Sequence, residues 1–330
     1  MNMSSNIQPQ KSSLEELFEK WCYTDFFETW VENFALNLND IWQENSAKDL
    51  MPINSDNENS AIVIGRGPSI TKHSHLKKLA NSNFSGTIIC TDGSLISCLN
   101  EGVTPDKFPN FYVVSIDTHE GISKLYDDEI VRQYGKKING IFSTVVKPST
   151  HKMARSNGIK IHWVHSLFDY NEGKKSFNKI SALMTRARNH KNGLPGIQTG
   201  GNVGTACWFI GWRILKASKI GLIGIDHSWN EKDSWKTITT HGNEHLNTLG
   251  MIDIDKNSPK FKKLFPKIYN PDFDCYCILD PIFQYYSNAL KEFIKMSPEW
   301  LQTINATEGG CIFGPRIKSM TFEEFLNLDR

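Results

Sequence analysis

Six short apolar runs set the limits on what this chain can become. They lie at 61–64, 87–90, 111–116, 138–142, 159–164 and 220–225, and the first three stop at Gly65, at Thr91-Asp92-Gly93 and at Asp117. Between them run amphipathic stretches such as 70–80 and 203–216. Apolar runs this short, bounded by turn residues, read as strands buried on both faces. Their alternation with helical stretches predicts a mostly parallel sheet with helices above and below it. Ligands of such sheets sit at the carboxyl ends of the strands, so the residues just after each run are the first candidates for a site.

The start of the chain is different. Leu14, Leu17, Phe18, Trp21, Phe27, Trp30, Val31, Phe34, Ile41 and Trp42 recur at roughly helical spacing. They predict an amphipathic helix over 12–43, opened by a capping box of Ser13 and Glu16. An aromatic stripe of this kind either braces the main domain or forms a homodimer interface. Residues 44–60 read as a polar linker. The segment 230–280, rich in Lys, Asp, Asn and Pro, reads as an insertion or flap, and its lysine cluster at 260–267 as a solvated face. A second amphipathic helix is expected over 281–295, and a last one after Thr321, capped with Glu324.

Composition removes several classes of function. A net charge of +1 over 330 residues leaves no broad electrostatic footprint for nucleic acid. Seven cysteines, an odd number set mostly in apolar runs, suggest no disulfide framework and a reducing compartment. The Cys275-Tyr276-Cys277 pair lacks a second pair at zinc-binding spacing. The polar start MNMSSNIQPQKSS predicts no signal peptide. No apolar run approaches the ~20 residues of a membrane span. A cytoplasmic location is therefore expected.

The strand ends carry the chemistry. Gly65-Arg66-Gly67-Pro68-Ser69 follows the first run directly. Two glycines allow close backbone approach, a helix starting near Ser69 favours an anion, and Arg66 can clamp phosphate. It is neither a dinucleotide fingerprint nor a Walker loop. Asp92 is placed to meet a ribose hydroxyl or a metal-bound phosphate, or else to cap the helix that follows. Asp117, with His119 close by, suits Mg2+ coordination or general-base work. Gly200, Gly201, Asn202 and Thr205 open the 203–216 helix as a second anion nest, or serve its close packing. Asp226 and His227 end a strongly apolar strand, where catalytic groups are expected. Glu308, in the turn that starts at Asn305, is a ligand or a turn residue. His241 and His245 in HGNEH would share a helix face, although the spacing is not that of the zinc protease motif.

Four of these motifs, in order, resemble a known family. Ile64-Gly65-Arg66-Gly67-Pro68-Ser69 looks like its G-x-GPS start, and Thr199-Gly200-Gly201-Asn202-Val203 like its GG(S/N)V helix opening. The run from Ile220 to Asp226 is similar to its strand ending in G-x-D, and Asn305-Ala306-Thr307-Glu308-Gly309-Gly310 to its N-(A/S)-T-E-G-G signature. The family is the MptE-like 6-hydroxymethylpterin diphosphokinases, related to the Maf-type motility accessory factors that are taken to glycosylate flagellin. Both resemble bacterial sialyltransferases in their nucleotide-binding fold. The resemblance covers about 60–228, and 300–312 by one motif.

The resemblance implies an α/β fold, a Rossmann-like three-layer sandwich with a mostly parallel sheet, here with an N-terminal helical extension. The expected organisation is disorder over 1–11, the extension and linker over 12–58, the nucleotide-binding core over 59–229, and an insertion or lid with C-terminal helices completing the same domain over 230–330. For a diphosphokinase the resemblance implies Mg2+ with ATP, and transfer of diphosphate to the hydroxymethyl group of a dihydropterin with release of AMP. Asp117, with Asp92 or Asp226, would then hold the metal, and His227 would be the nearest base. For a glycosyltransferase it implies a CMP-activated sugar, with Asn202 and the turn from Asn305 to Glu308 selecting cytidine and His227 or His241 as base. A nucleotide-binding module without catalysis is a third possibility. The expected partners are a nucleotide and a small-molecule acceptor.

Overall fold

A computed structural model describes residues 26–52, 59–167, 176–188, 193–241 and 255–328. Helix α1 (Phe27–Gln43) precedes β1 (Asn45–Ser46), and the strands β2 (Ser60–Ile64), β3 (Thr87–Thr91), β4 (Phe111–Ser115), β5 (Asn139–Ser143), β6 (Lys160–Ser166) and β7 (Gly196–Ile197) follow. Helix α2 (Val203–Arg213) leads into β8 (Lys219–Ile223). The strands β9 (Trp229–Asn230), β10 (Lys267–Asn270) and β11 (Cys275–Ile278) lie before helix α3 (Pro281–Met296), and β12 (Gln302–Asn305), β13 (Ile317–Ser319) and helix α4 (Phe322–Asn327) close the chain.

The large sheet has the order β1-β6-β5-β4-β3-β2-β8-β12-β13, with β7 pairing β6 beside β1. Every pairing in it is parallel. The six apolar runs are β2 to β6 and β8. The short strands β1, β7, β12 and β13 escaped the apolar pattern; QTIN at 302–305 is half polar, yet it pairs β8 from Gln302↔Lys219 to Asn305↔Leu222.

Side chains of a strand alternate between faces, and here the alternation feeds two cores. Ile62, Ile64, Ile88, Cys90 and Val113 point to one face, where Leu76, Leu79, Leu95, Leu99, Val131, Phe322 and Phe325 cover them. Ala61, Val63, Ile89 and Val114 point to the other, under Ala206, Cys207, Ile210, Leu290 and Ile294 from α2 and α3. This is the three-layer α/β sandwich. Among the described residues no helix is long and apolar enough to cross a membrane.

Four expectations need correction or limits. Part of the polar linker belongs to the sheet: Asn45 and Ser46 pair His162 and Trp163 of β6, and Ser46 caps the following turn with Asp49 in a reciprocal box. The helix expected over 70–80 is two short helices, Ser69–Lys72 and His75–Ala80, because Ser74 turns left-handed at φ 53°. The insertion folds as a second, antiparallel sheet of order β10-β11-β9. Residues 1–25, with the Ser13 capping box, and 242–254, with His245, lie outside the described residues.

The described part of the aromatic stripe packs on the chain's own core. Phe34 and Ile41 are buried there, with Trp30 against the same cluster. Two buried asparagines fix the helix to the turn after β5. Asn33 donates to the Val145 carbonyl at 3.1 Å. Asn37 donates to those of Thr144 (3.1 Å) and Val146 (2.8 Å), and its Oδ1 meets His151 Nε2 at 3.0 Å. Asn37→Leu would strip this donor from two buried carbonyls and leave His151 Nε2 only the longer contact with Asp40, at 3.7 Å. It should cost roughly 3 kcal/mol of unfolding free energy, readable as a lower urea midpoint at unchanged slope.

Candidate functional site

The chain order reverses between β2 and β8: β3 to β6 lie on one side of that pair and β12 and β13 on the other. A sheet opens a crevice at the carboxyl ends where its order reverses. The two turns that border it touch. Gly65 N–H donates to the Ile223 carbonyl and Gly67 N–H to that of Gly224, both at 2.9 Å. A Cβ on Gly65 would stand 2.2 Å from the Gly224 oxygen, and one on Gly67 1.9 Å from Asp226 Oδ2. The two glycines are thus required by the approach of the neighbouring turn. The same approach brings Ser69 Oγ to donate to Asp226 Oδ2 at 2.8 Å. Pro68 starts the short helix at Ser69, and Arg66 points outward across Gly93, whose added Cβ would lie 2.6 Å from Arg66 Cδ. Arg66, Ser69, Asp92 and Asp226 therefore gather at one strand-end crevice.

Burial governs the electrostatics. Asp92 is 5% exposed. Its Oδ2 accepts from Ser115 Oγ at 2.6 Å and its Oδ1 from Gly93 N–H at 2.7 Å. The Ser115 hydroxyl also meets Tyr126 Oη at 2.9 Å, so a tyrosine stands behind the serine that orients the acid. Burial raises the Asp92 pKa to about 6; Ser115 and Gly93 pull it down, Asp117 pushes it up and Arg66 lowers it. Burial also lifts Asp226 to about 6, against the lowering by Ser69 and by Lys72. Asp117 is exposed, and its Oδ1 accepts from His119 N–H at 3.1 Å, while His119 Nδ1 accepts from Gly121 N–H. A Mg2+ ion that arrives on phosphates needs only one or two protein carboxylates. Asp92 and Asp117, near enough for Asp117 to raise the cost of charging Asp92, fit that requirement. Among the described residues no group of three or more acidic, His or Cys side chains could hold a metal by itself.

Other expected residues have different occupations. Asn202 caps α2: its Oδ1 accepts from Thr205 N–H at 2.8 Å and its Nδ2 donates to Thr205 Oγ1 at 2.9 Å. Thr205 is fully buried and bonded within the cap, so it does not face a ligand. Gly200 and Gly201 have φ of +54° and +82°, and added Cβ atoms there would meet Ala289 at 3.1 Å and the Tyr285 and Tyr286 rings at 2.8 Å. One side of that turn lies against α3, which is why both positions are glycine, while Gly201 itself is exposed. Asn305 is also buried; its Nδ2 donates to the Ile312 carbonyl (2.7 Å) and its Oδ1 accepts from Thr307 N–H (2.9 Å), shaping the turn. Glu308, at φ 59°, ties elements together: it accepts from Phe322 N–H at the start of α4 and meets His75 Nε2 at 3.3 Å and His73 Nδ1 at 3.5 Å. His227 is 8% exposed, lies against Phe283 and Tyr286, and has a buried Nδ1 without a partner. Burial drives its pKa down to about 3, which makes it a poor base.

Sequence reasoning missed Asp280. It is fully buried, starts α3 and meets His241 Nδ1 at 2.6 Å. The pair Asp280-Pro281 carries the usual signal, a capping acid followed by proline at the first helical position.

The raised acid at Asp92 has a consequence for stability. Its folded pKa, about 6, lies above the ordinary 3.8. Stability linked to it is complete below about pH 4 and falls as pH rises to about 6, by roughly 3 kcal/mol at most. An amide at this position keeps the Gly93 bond and can donate to Ser115 Oγ. Asp92→Asn should therefore raise the melting temperature at pH 8, and the gain should vanish toward pH 4.

No curated protein matches the chain. Among solved structures, the MAf glycosyltransferase from Magnetospirillum magneticum AMB-1 shares the fold at a TM-score of 0.51 and 13% sequence identity, over 87% of this chain. The chain spans 39% of the length of that protein. The profile of the family described as 6-hydroxymethylpterin diphosphokinase MptE-like matches residues 32–232, which hold the whole β2–β8 crevice. By that match over more than half of its length, the chain belongs to the MptE-like family.

Proposed function

We propose that the chain is a nucleotide-dependent transferase that binds the phosphates of its donor in the β2–β8 crevice and moves a group from it to a hydroxyl of a small acceptor. The family description favours diphosphate as the group and a 6-hydroxymethylpterin as the acceptor, with ATP as the donor that the resemblance implies. The acceptor oxygen then bonds to the β-phosphorus, the bond between the α- and β-phosphates breaks, and AMP leaves. One observation carries the reading. Arg66, from the turn after β2, lies against Gly93 and near Asp92 at the end of β3; Asp117, after β4, is near enough to raise the charging cost of Asp92, and Ser69 holds Asp226 in the turn after β8. Phosphoryl chemistry depends mainly on positioning and charge stabilisation. Arg66 supplies a planar cation for phosphate oxygens. Asp92 and Asp117 would hold Mg2+, whose contribution is to neutralise charge on the phosphates. Ser69 and Asp226 hold the turns after β2 and β8 together beside them.

A second reading, transfer of a sugar from a CMP-activated donor, has its own support. The likeness to the Maf glycosyltransferase fold extends over 87% of the chain, well beyond the span of the family profile.

Thermal stabilisation by ATP, GTP, CMP and CTP, each with and without Mg2+, separates the readings, because a ligand of the folded state raises the melting temperature. ATP is expected to act only with Mg2+. A CMP shift indifferent to Mg2+ would favour the sugar donor, and no shift with any nucleotide would sink both. Arg66→Ala should weaken the nucleotide by about tenfold or more, the value of a charge-assisted bond. Asp117→Ala, at an exposed position, should abolish the Mg2+ dependence while changing the unliganded stability by under about 0.5 kcal/mol.

A further inference from the structure

Asp280, His241 and Trp229 meet in the part of the chain that carries the small sheet. Asp280 Oδ1 accepts from Phe283 N–H at 2.8 Å, and Oδ2 from the Trp229 indole N–H at 2.7 Å. Both partners are donors only. The start of the long helix α3 also favours negative charge at this position. The carboxylate therefore acts as acceptor toward His241 Nδ1 at 2.6 Å as well. That contact places the ring proton on Nδ1 and leaves the lone pair on Nε2. The ring is held in place by Phe283 at 4.8 Å and by Trp229, edge-on, at 5.3 Å. One third of the His241 side chain remains exposed, whereas Asp280 is completely covered. Among the described residues nothing bonds to His241 Nε2.

Phe283 links the arrangement to the turn after β8. Phe283 packs on His241 with one side and stacks on His227 with another, at 6.4 Å, and His227 directly follows Asp226. His241 thus stands one aromatic ring away from the turn that carries the buried acid. A buried carboxylate that orients an imidazole with one free nitrogen is the arrangement that a general base uses to take a proton from a hydroxyl.

We propose that His241 is the general base of the transfer and that Asp280 is its positioning residue. Nε2 takes the proton of the acceptor hydroxyl while the oxygen bonds to the transferred group and the nucleotide departs with the electrons of the broken bond. His241, now doubly protonated, returns the proton to solvent. The proposal rests on the transferase reading. It names as acceptor a neutral hydroxyl, which needs a base, in preference to a preformed anion, which does not.

The test measures nucleotide release by the full chain from Mg·ATP and from a CMP-linked sugar, with hydroxymethyl-dihydropterin or water as acceptor, next to thermal shifts with the same donors. His241→Gln is expected to lower kcat about 100-fold or more, with the donor shift retained. His241→Ala should behave alike and recover on addition of imidazole. Asp280→Asn, which can offer its amide N–H to Nδ1 and so favour the wrong tautomer, should lower kcat at nearly constant KM. Wild-type turnover with undiminished turnover in His241→Gln overturns the base and leaves the transferase reading standing. Loss of the donor shift together with failure of imidazole rescue overturns it as well, by assigning His241 a structural role. Absence of nucleotide release from every donor by the wild-type chain removes the transferase reading and the base with it.

Discussion

The contact between the turns after β2 and β8 is the constraint on which the site depends. Gly65 and Gly67 bond across to Ile223 and Gly224, and neither position has room for a Cβ. At that distance the turns share one wall, which lets Ser69 hold Asp226 and leaves Arg66 free to reach across Gly93 toward Asp92. A larger side chain at position 67 would displace the Asp226 carboxylate before it affected any ligand. The glycines of such motifs are often read as space for phosphate. Here they are first of all space for a neighbouring strand end, and the crevice follows from it.

Two acids raised to about 6 inside this crevice are costly in a protein without ligand. Burial opposes their charge, and the surrounding donors, Ser115, Gly93 and Ser69, offset only part of it. Groups strained in this way gather where a charged partner is expected, since the partner removes the cost on arrival. The His73–His75–Glu308 cluster contrasts with them. Its carboxylate has protein partners on several sides and joins the helices after β2 to the start of α4. It reads as an architectural tie between the two ends of the fold.

The two parts of the chain contribute differently. The span that matches the family profile supplies the sheet, the crevice and the acids. The segment beyond it supplies α3, which closes one face of the sheet and packs against one side of the Gly200-Gly201 turn, and the strands β10 and β11, of which β11 pairs Trp229 and Asn230 of β9. Residues with no strand-end position, such as Asp280 and His241, come near the turn after β8 only because Phe283 of α3 packs on His227.

The sequence alone determined the layered α/β plan, because strands buried on both faces must be apolar throughout and leave a legible run. It also pointed to the carboxyl ends of β2, β3, β4 and β8, where glycines and acids follow the apolar runs. It could not separate a ligand-facing polar residue from one that shapes a turn. Asn202, Thr205 and Asn305 have the same donors and acceptors in either role, and only their buried partners identify them as cap and turn residues. The short strands β1, β7, β12 and β13 were illegible because two to four residues carry no period and take their conformation from the strand beside them. The burial of His227 and the meeting of His241 with Asp280 were decided by tertiary structure alone. Exposure and orientation come from packing between elements far apart in the chain, and these are what give an imidazole its chemistry.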